Sequence, residues 1–141
     1  TWPSLRSWTT LSANARSSRN SRPSSLELKV DRTPAHLTDM LQFVHELQTT
    51  LAELTLDQYL LDRLRNLAAE KLFINLGEAA ARVPEGDRAV IIGVPWRQII
   101  GLRNILAHGY EQVDHETLFK TVMHDLPAVE AALCTALQRW P

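Results

Sequence analysis

Apolar residues recur at three- and four-residue steps through four long stretches of the chain, the spacing of helices that bury one face. Leu37, Met40, Leu41, Val44, Leu47, Leu51 and Leu54 predict a first helix over about 35–54, with Pro34 at its first turn, where a missing N–H is harmless. Leu60, Leu61, Leu64, Leu67, Ala68, Leu72, Leu76, Ala79, Ala80 and Val83 predict a second over about 57–83, capped by Thr55 or Asp57. Gly77 interrupts that pattern at a cost of about 1 kcal/mol relative to alanine, which a close helix crossing would explain. Val83-Pro84-Glu85-Gly86-Asp87 then breaks the helix.

A third helix is predicted over about 95–107, with Pro95 in its first turn and Gly109 as a C-terminal cap. Leu118, Phe119, Val122, Met123, Leu126, Val129, Leu133, Ala136, Leu137 and Trp140 predict a fourth over about 115–139. Pro127 must kink or divide it, because proline cannot donate the interior bond, and Asp114 and Asp125 are candidate caps. The one serious strand candidate, Ala89-Val90-Ile91-Ile92, reads as a loop or brief helical turn. The expected fold class is all-α: an antiparallel four-helix-type bundle with a kinked or divided last helix.

Composition supports that reading. Hydrophobic residues make up 45% of the 141-residue chain and charged residues 22%, enough for one packed core, while aromatics are only 6%. The net charge of -1 is unevenly placed. Residues 1–30 hold five basic side chains and one acid in a Ser/Arg-rich stretch without periodicity, read as a flexible basic tail. Residues 31–141, the expected domain, hold ten basic and fifteen acidic groups, which argues against a high-affinity duplex binder but permits a local phosphate site. A single cysteine, Cys134, excludes an internal disulfide and a Cys-based metal site, and fits a small buried thiol in a cytoplasmic protein. The apolar runs are too short to span a bilayer, and the N-terminus lacks the apolar core of a secretory signal.

The candidate chemistry lies at the end of the third helix, in Arg103-Asn104-Ile105-Leu106-Ala107-His108-Gly109-Tyr110. Arg103 can hold a phosphate, His108 can move a proton near neutral pH and Tyr110 can present a hydroxyl. Asn104 can orient the turn or contact a substrate. A five-residue step turns Arg103 and His108 about 140° apart, so they are not same-face neighbours. Taken alone the spacing is weak: Arg103 can pair with Glu78, His108 can cap carbonyls and Tyr110 can simply pack. His115 is a secondary substrate-facing candidate. His36, His45 and His124 read as ordinary helix residues, without metal-ligand spacing. Trp96 reads as a residue closing the core rather than a base-stacking platform, and Trp140 as terminal packing.

The run from Pro95-Trp96-Arg97 to Tyr110, followed by Glu111-Gln112-Val113-Asp114, closely resembles the HEPN superfamily, and more narrowly its HepT-like (DUF86) toxin branch. Its Arg-x4-His-x-Tyr signature is intact. Ile74-Asn75-Leu76-Gly77-Glu78-Ala79-Ala80 resembles a second family pattern, departing from it with Leu76 where isoleucine is commoner, and Asp125-Leu126-Pro127 is similar to a third. The likeness covers about 32–139. It implies a helical homodimer with ribonuclease activity on RNA, no cofactor and no metal, and Arg103 and His108 as the catalytic pair. Asn104 and Tyr110 would bind RNA or support the pair. The implied partner is an MNT-type nucleotidyltransferase antitoxin that silences the toxin by adding AMP to Tyr110. A phosphate-competent Arg103, a titratable His108 and the lack of a convincing metal-ligand cluster in the sequence point to metal-independent cleavage by attack of the ribose 2′-hydroxyl. The competing readings are a catalytically inactive HEPN dimer that binds a nucleotide or protein, and an antitoxin or scaffold. The second lacks the nucleotidyltransferase Gly-Ser motif with paired acids.

Overall fold

The computed structural model describes residues 30–108 and 113–141. Its elements are α1 (Thr33–Leu51), α2 (Leu56–Leu61), α3 (Arg63–Arg82), α4 (Glu85–Val90), α5 (Trp96–His108) and α6 (His115–Lys120). A π-helical turn, Thr121–Asp125, then leads into α7 (Leu126–Arg139). Among the described residues the regular structure is entirely helical, as expected from the periodicity. The long helices lie side by side: α3 packs along both α1 and α5, and α1 also packs along α7.

The core follows from the α1 stripe. Leu37, Met40, Val44, Leu47 and Leu51 are fully buried on one face, each contributing on the order of 1.5–3 kcal/mol by leaving water. They meet Ala69, Phe73, Leu76 and Ala80 of α3, Ile99 and Leu102 of α5, and Leu126, Val129 and Leu133 of α7 in one cluster. Pro34 occupies the first turn of α1, as anticipated. Trp96 and Trp140 both pack against this cluster, in keeping with their reading as core and terminal packing residues.

The second predicted helix is divided. Asp62 adopts an extended backbone (ψ 94°) and its carboxylate accepts the N–H of Arg65, so it ends α2 and caps α3. Upstream, Thr55 and Gln58 form a reciprocal capping box that starts α2. The break resets the helical phase, which corrects the expected stripe. Leu60, Leu61, Leu64 and Leu67 are exposed, Leu61 by 88% and Leu64 by 79%. Tyr59 and Asn66 are buried in their place.

The last helix is divided too, and proline is the reason. A straight α-helix would drive the Pro127 ring into the carbonyl of Met123. The chain widens instead into the π turn, closed by the bond from Leu126 N–H to the Thr121 carbonyl, and Pro127 falls in the first turn of α7. Asp114 caps α6 through the Thr117 N–H, whereas Asp125 makes no side-chain cap.

Residues 85–90, where the sequence signals a break, form the short helix α4. Arg88 explains its docking: its guanidinium donates to the carbonyls of Val83 and Ala81, capping the end of α3. The strand candidate is absorbed by the end of α4 and a turn at Gly93, whose φ of 98° favours glycine. Among the described residues no helix is long and apolar enough to cross a membrane.

Candidate active site at the end of α5

Helix α5 buries Ile99, Leu102 and Leu106 against α3. The same register carries Arg103 along the crossing and leaves His108 exposed in the final turn. Asn104 is half-buried beside Arg103. The helix is continuous from Arg103 to His108, so their side chains leave the axis about 140° apart. Tyr110 and the candidate cap Gly109 lie outside the described residues.

The crossing is unusually close at Gly77. A Cβ there would stand 2.2 Å from Arg103 Cβ, 2.9 Å from its Cγ and 3.0 Å from the Ile99 carbonyl oxygen. This is the close approach anticipated from a glycine inside a helical pattern. The root of the Arg103 side chain therefore lies directly under the backbone of α3. Arg103 Nε is buried and has no hydrogen-bond partner among the described residues. The alternative ion pair with Glu78 is not formed, and Arg103 makes no ion pair among the described residues. A buried donor left unmatched costs about 1–3 kcal/mol, so an anion accepting from Nε would recover free energy on binding.

A second polar group lies where the chain resumes after α5. His115 begins α6 and its side chain is only 17% exposed. Its Nε2 lies 3.0 Å from a Glu70 carboxylate oxygen on α3, and its Nδ1 2.9 Å from the Tyr59 hydroxyl on α2. A carboxylate can only accept, so Nε2 donates to Glu70. On the neutral ring, Nδ1 then accepts the Tyr59 O–H. Tyr59 is fully buried, with Phe119 stacked at 5.5 Å. Desolvation, then the Glu70 charge, pushes its phenol well above the ordinary value.

With both ring nitrogens engaged by protein, His115 is a structural clamp rather than the substrate-facing group that its position suggested. Tyr59 and Glu70 escaped the sequence reading, because partners 56 and 45 residues away leave no local periodic signal. The remaining histidines match expectation. His36 is partly buried, His124 is exposed and His45 pairs with Glu130 at 2.8 Å. No group of three or more His, Cys, Asp or Glu side chains is gathered as a metal site would require, among the described residues.

Fold and site together define an all-helical bundle that displays an Arg-x4-His pair on the last turns of a central helix. Residues 40–136 match the family described as "Ribonuclease HepT-like", and the chain belongs to that family. A relative from Methanocaldococcus jannaschii, provisionally named RNase MJ1380, is 27% identical over 96 residues, covering 68% of this chain and 88% of its own. One from Thermococcus cleftensis, provisionally named ribonuclease HepT, is 26% identical over 95 residues, 67% of this chain and 86% of its own. A third, from Caldanaerobacter subterraneus and also provisionally named an RNase, is 26% identical over 109 residues, 77% and 97% of the two chains. No solved structure gives a significant match.

Proposed function

We propose that the protein is an endoribonuclease in which Arg103 and His108 act on a phosphodiester of RNA. One observation carries the reading: in a chain of the ribonuclease HepT-like family, the motif arginine holds a buried Nε–H with no acceptor among the described residues. A phosphate oxygen is the acceptor that such a permanently charged donor suits best. The names of the relatives support RNA as the substrate.

In the proposed reaction the ribose 2′-oxygen attacks the adjacent phosphorus while its proton passes to a base. The P–O5′ bond breaks and the leaving 5′-oxygen takes up a proton. The products are a 2′,3′-cyclic phosphate and a free 5′-hydroxyl, with no water consumed and no metal required. His108 serves one proton transfer as general base or acid. Arg103 stabilises the charge that grows on the phosphoryl oxygens. Asn104 and Tyr110 contact RNA or orient the pair. A homodimer would bring two such helix ends to one cleft, and the second His108 would supply the other proton transfer. Tyr110 is the proposed site of AMP addition by an MNT-type nucleotidyltransferase antitoxin, which makes this chain the toxin of a cytoplasmic pair.

The test is incubation of purified, unmodified protein with total RNA in EDTA, beside His108→Ala, with end groups read by mass spectrometry. Cleavage by the parent alone, leaving cyclic phosphate ends, is the expected result. An intact, unmodified dimer that leaves all RNA uncut would reject the proposal.

A further inference from the structure

We infer that Gly77 is a positioning residue for Arg103: the absent side chain on α3 seats the arginine shaft beneath the helix and keeps its Nε–H buried, with no acceptor among the described residues. The inference rests on the proposed role of Arg103 in binding phosphate. Gly77 lies well inside the 20-residue α3, with Ala79 and Ala80 close behind it. Its φ is not in the left-handed region, so backbone freedom does not explain the glycine. Space does. The nearest atoms to a Cβ at Gly77 are Arg103 Cβ at 2.2 Å and Cγ at 2.9 Å, followed by the Ile99 carbonyl oxygen.

A flexible side chain usually relieves such a clash by swinging its far end. That remedy is absent here, because Cβ, the nearest atom at 2.2 Å, is fixed by the backbone of α5 and no rotamer moves it. Ordinary contact between carbons needs about 3.5–4.0 Å, so an alanine at Gly77 must separate α3 from α5 by more than an ångström. The Arg103 head would leave its seat, and misplacement of about 1 Å can lower a rate about 100-fold. Loose packing of two helices does not require this arrangement: of the three closest atoms at Gly77, two belong to the proposed phosphate-binding residue.

The experiment has two readouts. The first needs no RNA: exchange of the Arg103 Nε–Hε proton with water, followed by NMR in the full chain. The wild type should show a protected Nε–Hε. Gly77→Ala should speed its exchange at least about tenfold, while backbone amides of α7 stay protected. A freely exchanging Nε–Hε in the wild type, or an unchanged one in folded Gly77→Ala, overturns the inference.

The second readout is a double-mutant cycle on binding of a non-cleavable 2′-deoxy-substituted RNA oligonucleotide. Gly77→Ala and Arg103→Gly should each weaken binding by a similar factor, and the double variant should bind no worse than Arg103→Gly alone. Equal further loss in both backgrounds would make Gly77 a packing residue only. If wild-type binding ignores Arg103→Gly, the phosphate role falls, and the exchange readout still decides the seating. Should Gly77→Ala fail to fold, Gly77→Ala/Arg103→Gly should fold, because it removes both Arg103 atoms and leaves only the Ile99 carbonyl oxygen, at 3.0 Å. Its failure would locate the clash elsewhere and overturn the inference.

Discussion

Arg103 and His115 are both polar residues held largely inside the bundle near α3, and they differ in how their donors are matched. His115 has a partner on each ring nitrogen, Glu70 at 3.0 Å and Tyr59 at 2.9 Å. Arg103 has a buried Nε with none among the described residues. A satisfied buried group stiffens the fold, whereas an unsatisfied one weakens it until something binds. On the proposed function, the contrast is between a residue that serves the structure and one whose donor awaits a phosphate, although both lie in or beside the same motif segment.

The largest expected effects are catalytic. His108→Ala should lower RNA cleavage on the order of 100- to 10,000-fold with little change in thermal unfolding, because His108 is exposed at a helix end. The clamp should show the reverse. His115→Ala and Tyr59→Phe each leave a part-buried polar group unpaired, and should destabilise by about 1–3 kcal/mol in urea titrations.

Tyr59 also sharpens the comparison at alkaline pH. Its folded pKa is raised, so its contribution is complete below the unfolded value near 10 and is lost as pH rises toward the folded one. Stability should therefore decline above about pH 10, and Tyr59→Phe should flatten that decline.

Core and surface leucines of α2 and α3 give the next contrast. Leu76→Ala should cost about 2–5 kcal/mol, while Leu61→Ala on α2 should stay within about 0.5 kcal/mol in the monomer. A dimer that buries the exposed Leu61–Leu64 face would show itself as a concentration-dependent loss for Leu61→Ala.

The smallest effect belongs to the α6 cap. The Thr117 hydroxyl, then backbone N–H groups, hold Asp114 below its ordinary value of 3.8. Its contribution is present above that value and fades as pH falls through the folded pKa. Asp114→Ala should cost about 1 kcal/mol at neutral pH and less in acid, once the carboxylate is protonated.

Much of this was legible in the chain. The α1 stripe, the Pro34 start, the Thr55 cap and the division at Pro127 follow from local rules, and the structure bears each out. Gly77 was legible as a close crossing, but its neighbour was not, because Arg103 is 26 residues away. The exposed leucines were misread for a physical reason. A single extended residue, Asp62, resets the phase, and no periodicity template tolerates such a shift. Pairing of His115 with Tyr59 and Glu70 is tertiary and leaves no trace in spacing.

Arg103→Met, measured for stability and RNA cleavage side by side, tests the central claim most directly. Methionine keeps an unbranched shaft at the Gly77 crossing and removes the charged donor. The account predicts cleavage down at least about 100-fold, with thermal stability unchanged or raised, since an unmatched donor has gone. Cleavage that persists while stability falls would contradict it and make Arg103 a structural residue.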